Sequence, residues 1–189
     1  MIARPSNEKN ACYTAGSIGL DEVKWLIAKE IPRLRRYALG LADTPEAADD
    51  LVQDSLERAI RKRHQWKRHG SIRSWLYRIL YNVFLNQTAQ RNRERREVDI
   101  DELSAPLTEP PQQENQIACR EIAAAVRQLP REQRAAIMLT ALEGLSYDEA
   151  AKIIGVPIGT LRSRLSRGRE KLRELYVPET RHANLRRVK

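Results

Sequence analysis

The stretch from Leu145 to Leu175, LSYDEAAKIIGVPIGTLRSRLSRGREKLREL, constrains this chain more than any other. Ser146 can cap a helix, and Glu149 completes a capping box. Ala150, Ala151, Ile153 and Ile154 supply that helix with an apolar face. Gly155 suits the position after its end, where a left-handed backbone is needed. Pro157 suits the start of a second helix, because its ring presets the helical φ. In that second helix Leu161, Leu165, Gly168, Leu172 and Leu175 recur at core spacing. The remaining faces carry Thr160, Arg162, Ser163, Arg164, Ser166, Arg167 and Arg169. Two helices joined by a tight turn, the second loaded with arginine, make a helix-turn-helix pattern. The donors crowd the N-terminal half of the second helix, the part that enters a major groove. The plainer alternative is a helical hairpin with a solvated basic face. The small residues of the first helix, the glycine turn and the density of donors favour duplex DNA.

The chain has 189 residues, a formal net charge of +9 and a pI near 9.9, which suit a polyanionic partner. Membrane insertion is not expected, because no apolar run approaches the roughly 20 residues a span requires. The first residues, MIARPSNEKNACYTAGS, hold no hydrophobic signal core, so a cytoplasmic location is expected. Cys12 and Cys119 lie far apart, and His64, His69 and His182 show no ligand spacing, so no metal is expected. No Ser/His/Asp set, Gly-rich phosphate loop or HExxH motif occurs, so neither an enzyme nor a cofactor is expected. A single phenylalanine and few alternating runs predict an all-α fold.

Residues 97–116, EVDIDELSAPLTEPPQQENQ, hold prolines and carboxylates without periodicity. They predict an extended acidic linker between two small helical domains, residues 20–96 and 117–176. Residues 1–19 and the basic tail 177–189 fall outside both. The first helix is expected from about Leu20 to Leu41, with Leu20, Val23, Ile27, Ile31, Leu34, Ala38 and Leu41 facing inward and Pro32 kinking or splitting it. The second starts at Thr44 as cap, with Pro45 behind it, and runs to about Arg63. Ala47, Ala48, Leu51, Val52, Ala59 and Ile60 are its expected core residues, while Asp49, Asp50, Gln53, Asp54 and Glu57 make an acidic face. Nucleic acid would be repelled there, which leaves protein or solvent.

The third helix starts near Ser71, with Ile72, Trp75, Leu76, Ile79, Leu80 and Val83 as its stripe. Arg73, Tyr77, Arg78, Tyr81, Asn82 and Asn86 lie on its far side, followed by Arg91, Arg93, Arg95 and Arg96. Rings beside guanidinium and amide groups are the ingredients of single-strand binding. The plainer alternative is that Tyr77 and Tyr81 pack a helix flank. After the linker, helices are expected from Ile117 to Leu129 and from Arg131 to Glu143, ending at Gly144. Ile122, Ala125, Val126, Leu129, Ile137, Met138, Ala141 and Leu142 would support the helix-turn-helix.

Taken together, AADDLVQDSLERA (Ala47 to Ala59), SIRSWLYRILYN (Ser71 to Asn82), LPREQRAAIMLTALEGLSYDEAA (Leu129 to Ala151) and GVPIGTLRSRLSRGREKLREL (Gly155 to Leu175) resemble the bacterial sigma factors of the extracytoplasmic-function (ECF) group, over about residues 20–176. The resemblance implies a protein that binds core RNA polymerase, reads promoters through two domains and helps melt them. Asp49, Asp50, Leu51, Gln53 and Asp54 would dock on the clamp helices of the largest polymerase subunit, and the C-terminal domain would meet the flap. Trp66, Lys67, Arg68, Arg73, Tyr77, Arg78, Tyr81 and Asn82 would hold the opened strand of the −10 element. Trp75 also matches the family pattern, but its place in the core stripe favours packing. Thr160, Arg162, Ser163, Arg164, Ser166 and Arg167 would contact the −35 duplex. The linker would follow the RNA exit path. The resemblance also implies an anti-sigma partner. Beyond Asn82 the chain reads VFLNQTAQRNRER, where many relatives carry an aspartate and an earlier basic cluster.

Two rivals use less of the chain. A stand-alone dimeric regulator needs only the helix-turn-helix and leaves DDLVQD and WLYRILYN without a role. An RNA-binding regulator would use the tyrosine–arginine face alone.

Overall fold

The computed structural model describes residues 20–66, 70–97 and 114–175. Among the described residues every regular element is a helix. Helix α1 spans Leu20–Leu41 and α2 Pro45–Arg61; a 3-10 turn at Arg63–Gln65 and α3, Ile72–Glu97, complete the first half. Then come α4 (Glu114–Arg127), α5 (Arg131–Ile137), a π-turn (Met138–Leu142), α6 (Tyr147–Ile154) and α7 (Ile158–Leu175). The expected linker loses Glu97 to α3 and residues 114–116 to α4. Its remainder, residues 98–113, lies outside the described residues, as do 1–19, 177–189, Lys67 and Arg68.

Helix α1 is not split at Pro32 but runs through it as one element. An internal proline removes one backbone bond and costs about 3 kcal/mol. Val23, Ile27, Leu34, Tyr37, Ala38 and Leu41 are buried on both sides of it. Each large apolar side chain contributes about 1.5–3 kcal/mol on burial, so the face outweighs the break. Ile31, expected inside, is exposed, and Tyr37 is buried instead. At α2 the Thr44 hydroxyl accepts from the Ala47 amide at 3.2 Å, with Pro45 as first helical residue. The helix ends at Arg61 rather than Arg63. Ile60 faces solvent, and Ser55 takes an inner position by donating its hydroxyl to the Leu51 carbonyl at 2.6 Å. The Ser71 hydroxyl accepts from the Ser74 amide at 3.3 Å at the start of α3.

The helix-turn-helix forms as its local signals dictate. Ser146 and Glu149 close a reciprocal capping box, and Gly155 ends α6 at φ +77°. Helix α7 starts just after Pro157, whose carbonyl accepts from the Leu161 amide at 3.1 Å. Leu161, Leu165 and Gly168 are buried, whereas Leu175 is largely exposed. A Cβ on Gly168 would lie 2.7 Å from Ile137 Cδ1, so glycine lets α7 lie close on α5.

The helix expected from Arg131 to Glu143 changes pitch at Met138. The Glu143 amide donates to the Met138 carbonyl at 3.0 Å, five residues back. That wider turn changes which residues face inward. Ala141 and Leu142, expected in the core, face solvent, and Glu143 turns inward with 3% of its surface exposed. Ile122, also expected in the core, is 49% exposed.

The two halves share one continuous apolar core. Helix α6 packs on α3, and α5 packs on α1. Gly40 permits the approach, since a Cβ there would fall 2.0 Å from the Met138 Cε. Arg134, 6% exposed, ties the junction: its guanidinium donates to the Leu41 carbonyl at 3.3 Å, to the Leu129 carbonyl at 3.2 Å and to the Arg127 carbonyl. These are carbonyls at or just past the C-terminal ends of α1 and α4, which lack helical partners of their own.

Candidate nucleic-acid interface

The first face is the exposed side of α7. Arg162, Ser166 and Arg167 are exposed, and Thr160 and Ser163 are partly buried. Ser163 spends its hydroxyl on the Thr160 carbonyl at 2.9 Å, which leaves Ser166 as the freer hydroxyl. Arg164 turns away from this side to pair with Glu132 of α5 at 2.7 Å, its side chain only 19% exposed. Arg169 donates to the Tyr147 hydroxyl at 3.2 Å, so α6 holds one of the arginines of α7 in place. With Arg162, Ser166 and Arg173 these two border a polar depression of about 250 Å³. Tyr147 was not among the expected site residues; its role depends on a residue 22 positions later.

The second face is divided by the packing of the halves. Arg78 and Asn82 are exposed on α3. Trp66 is partly buried, donates its indole N–H to the Gly70 carbonyl at 3.1 Å and lies 6.5 Å from the Trp75 ring. Tyr77 and Tyr81 are buried, at 0% and 3% exposure, and cannot stack bases in this arrangement. The Tyr77 ring packs edge-on against Tyr37 of α1 at 5.2 Å, while its hydroxyl end meets the other half. The Glu143 carboxylate accepts from Arg36 Nε at 2.8 Å, from Arg73 Nη2 at 3.2 Å and from the Tyr77 hydroxyl. Arg73 also donates to the Glu143 carbonyl and lies 5.7 Å over the Tyr77 ring. Burial works to raise the Glu143 carboxyl, but the bonds from Arg36 and Tyr77 outweigh it and hold the group below its ordinary value. Burial, followed by the bond to Glu143, pushes the Tyr77 hydroxyl well above its ordinary range.

The third face is the acidic side of α2. Asp49 is held by Arg35 of α1 through two bonds, at 2.6 and 3.0 Å, and that pairing lowers its pKa. Asp54 accepts from Gln87 of α3 at 2.8 Å, Gln53 donates to Glu57 at 3.4 Å, and Asp50 is exposed. Leu51, expected among the contacts, is 1% exposed and supports the face from beneath instead.

Between the end of α1, α4 and the π-turn lies an apolar groove of about 810 Å³. Leu39, Gly40, Ile122, Val126, Met138 and Leu142 line it, with Arg36, Asp43 and Arg127 also on its walls.

Residues 119–172, covering most of α4 through α7, match the family described as Sigma-70, region 4. Residues 27–81 match the Sigma2 domain of PhyR. The ECF RNA polymerase sigma factor EcfG of Rhodopseudomonas palustris (strain TIE-1) is 35% identical over 158 residues, 83% of this chain and 87% of that protein. The chain belongs to the ECF RNA polymerase sigma factors. Another ECF sigma factor, SigM of Mycobacterium tuberculosis (strain Erdman), is 31% identical over 185 residues, 97% of this chain and 91% of its own. Among solved structures, the sigma factor RpoE from Bartonella quintana, in complex with the anti-sigma factor NepR, superposes with a TM-score of 0.73 at 34% identity, covering 82% of this chain and 96% of that one. In this sigma factor region 4 therefore carries the helix-turn-helix, and no described helix is long and apolar enough to cross a membrane.

Proposed function

We propose that this sigma factor binds core RNA polymerase in the cytoplasm, directs it to promoters with separate −35 and −10 contacts, and helps open the −10 segment. The observation that carries the reading is the presentation of Arg162, Ser166 and Arg167 together on the exposed side of a helix fixed by a capped turn. Each well-formed bidentate base contact there is worth about 1–3 kcal/mol of discrimination. Thr160, Ser163 and Arg169 sit beside these three, near the phosphates. Asp49, Asp50, Gln53 and Asp54 form the docking side for the clamp helices of polymerase. Arg78 and Asn82 are available to the opened strand as the chain stands, while Arg73, Tyr77 and Tyr81 become available when the halves part. Trapping bases outside the stack offsets an unstacking cost of a few kcal/mol. The chemistry of RNA synthesis stays with the polymerase.

An anti-sigma partner is part of this proposal. The groove beside α4 presents Leu39, Ile122 and Leu142, all exposed and apolar, in a form that suits an amphipathic helix. The complex of RpoE with NepR supports such a partner. Arg167→Ala tests the reading: transcription from a −35-dependent promoter should fall about ten-fold, as expected for loss of one good base contact, while core polymerase is retained in a pull-down. Loss of polymerase binding in that variant would overturn the division of roles.

A further inference from the structure

We propose that Glu143 is a latch: its carboxylate stands on Arg36 and Arg73 where a strand phosphate would stand, and keeps the Arg73–Tyr77 end of the strand-binding side of α3 shut in the free chain. The inference rests on the assignment of the −10 strand to α3.

Three observations carry it. The Glu143 side chain is fully buried, and its donors come from α1 and α3, the other half of the molecule. A carboxylate and a phosphate ask the same of an arginine, two oxygens for the guanidinium fork. One anion at this place therefore excludes the other, and with Glu143 seated the Tyr77 hydroxyl is taken as well.

Second, the junction is not finished as a permanent core. Among the described residues, the Tyr37 hydroxyl, Arg73 Nε, the Ser74 hydroxyl and Arg134 Nε are buried without a protein hydrogen-bond partner. Three of the four belong to α1 or α3, and the fourth to the residue that ties the halves together. A buried unsatisfied polar atom costs about 1–3 kcal/mol. Parting the halves would return these atoms to water or to a nucleic-acid strand, so the closed state gives up stability that an open state recovers. A pair of arrangements close in energy is what a switch requires.

Third, the chain departs from regular structure to set the latch. The π-turn at Met138–Leu142 turns Glu143 inward. Gly40 leaves room for the Met138 side chain in the same seam. Apparent strand affinity of the free chain is then its intrinsic affinity reduced by the fraction of open molecules.

The test uses the full chain without polymerase. Binding of a short fluorescein-labelled single strand of mixed sequence is followed by anisotropy at fixed salt, and the radius of gyration by small-angle X-ray scattering. Glu143→Ala removes the latch. Gly40→Leu leaves the carboxylate in place and wedges the seam open at Met138, which covers the case in which the first variant misfolds. Glu121→Gln, on the exposed side of α4, controls for loss of one negative charge. Both test variants should expand and bind the strand about ten-fold more tightly than the wild type, as release of a mostly closed population requires; the control should do neither. Binding that tightens without expansion, or expansion without tighter binding, would overturn the latch. Run-off transcription by the same variants with core polymerase separates the two levels: if it persists, the promoter-recognition reading stands without the latch, and if the wild type too fails to initiate, that reading falls.

Discussion

Replacing Arg134 with methionine should be the most damaging single change at the junction that leaves packing nearly intact. The guanidinium makes three bonds to main-chain carbonyls, at Leu41, Leu129 and Arg127, with only 6% of the residue exposed. Bonds from a charged donor contribute about 1.5–3 kcal/mol each, so their gross worth is roughly 4–9 kcal/mol. Two terms oppose them. Burial depresses the pKa of Arg134, a sign that its charge is costly where it sits, and its Nε has no protein partner among the described residues. Replacing a buried charge by an apolar chain is often neutral when the partners leave as well. Here the partners are carbonyls at helix ends, and they stay behind in a buried seam. The net loss should be about 2–4 kcal/mol. Urea denaturation followed by helical circular dichroism reads it directly. With a slope of about 2 kcal/mol/M, the midpoint should fall by about 1–2 M. A loss under about 0.5 kcal/mol, the range of a surface substitution, would refute the reasoning.

Two further outcomes follow from the charged groups. Glu143 is held below its ordinary value of 4.5, with burial opposing and the bonds from Arg36 and Tyr77 prevailing. A depressed carboxyl contributes stability that is complete above its ordinary value and is lost as pH falls through the depressed one. The radius of gyration should stay constant down to about pH 5 and rise only below the ordinary carboxyl range; expansion beginning near pH 6 would contradict the assignment to Glu143. Asp50→Arg reverses a charge on the exposed acidic side of α2, and like charges across an interface cost several kcal/mol. It should weaken assembly with core polymerase at least about ten-fold and leave duplex binding by α7 unchanged; unaltered assembly would remove that side of α2 from the docking surface.

What could be read from the sequence was local. Ser146 with Glu149, Gly155, Thr44 with Pro45, and the Leu161–Leu165–Gly168 stripe are each set by neighbours within a turn or two, and the structure forms them as written. The basic side of α7 followed from the same periodicity, apart from Arg164, whose partner Glu132 lies on another helix. The junction was not legible. Glu143 meets Arg36 across 107 residues and Arg73 across 70, and nothing in a run of charged residues says which will be buried together. Tyr77 and Tyr81 have the composition of a base-stacking surface and also that of a packed flank, and the tertiary packing, with Tyr37 against the Tyr77 ring and Glu143 on its hydroxyl, decides for the flank. The π-turn at Met138 has no local signature, so periodicity extends the helix at the wrong pitch and places Leu142 inside. Ile31, Ile60 and Ile122 are apolar yet exposed, because periodicity identifies a helix face but not whether a neighbour covers it.

Run-off transcription with core RNA polymerase on a library of promoter sequences decides whether this chain directs promoter choice. Adding the chain should confer initiation on a subset of templates sharing a −35 and a −10 element at fixed spacing, and Arg167→Ala should relax selection at the −35 element alone. Initiation that the chain does not change, together with sequence-specific duplex binding by the chain alone as a dimer, would contradict it.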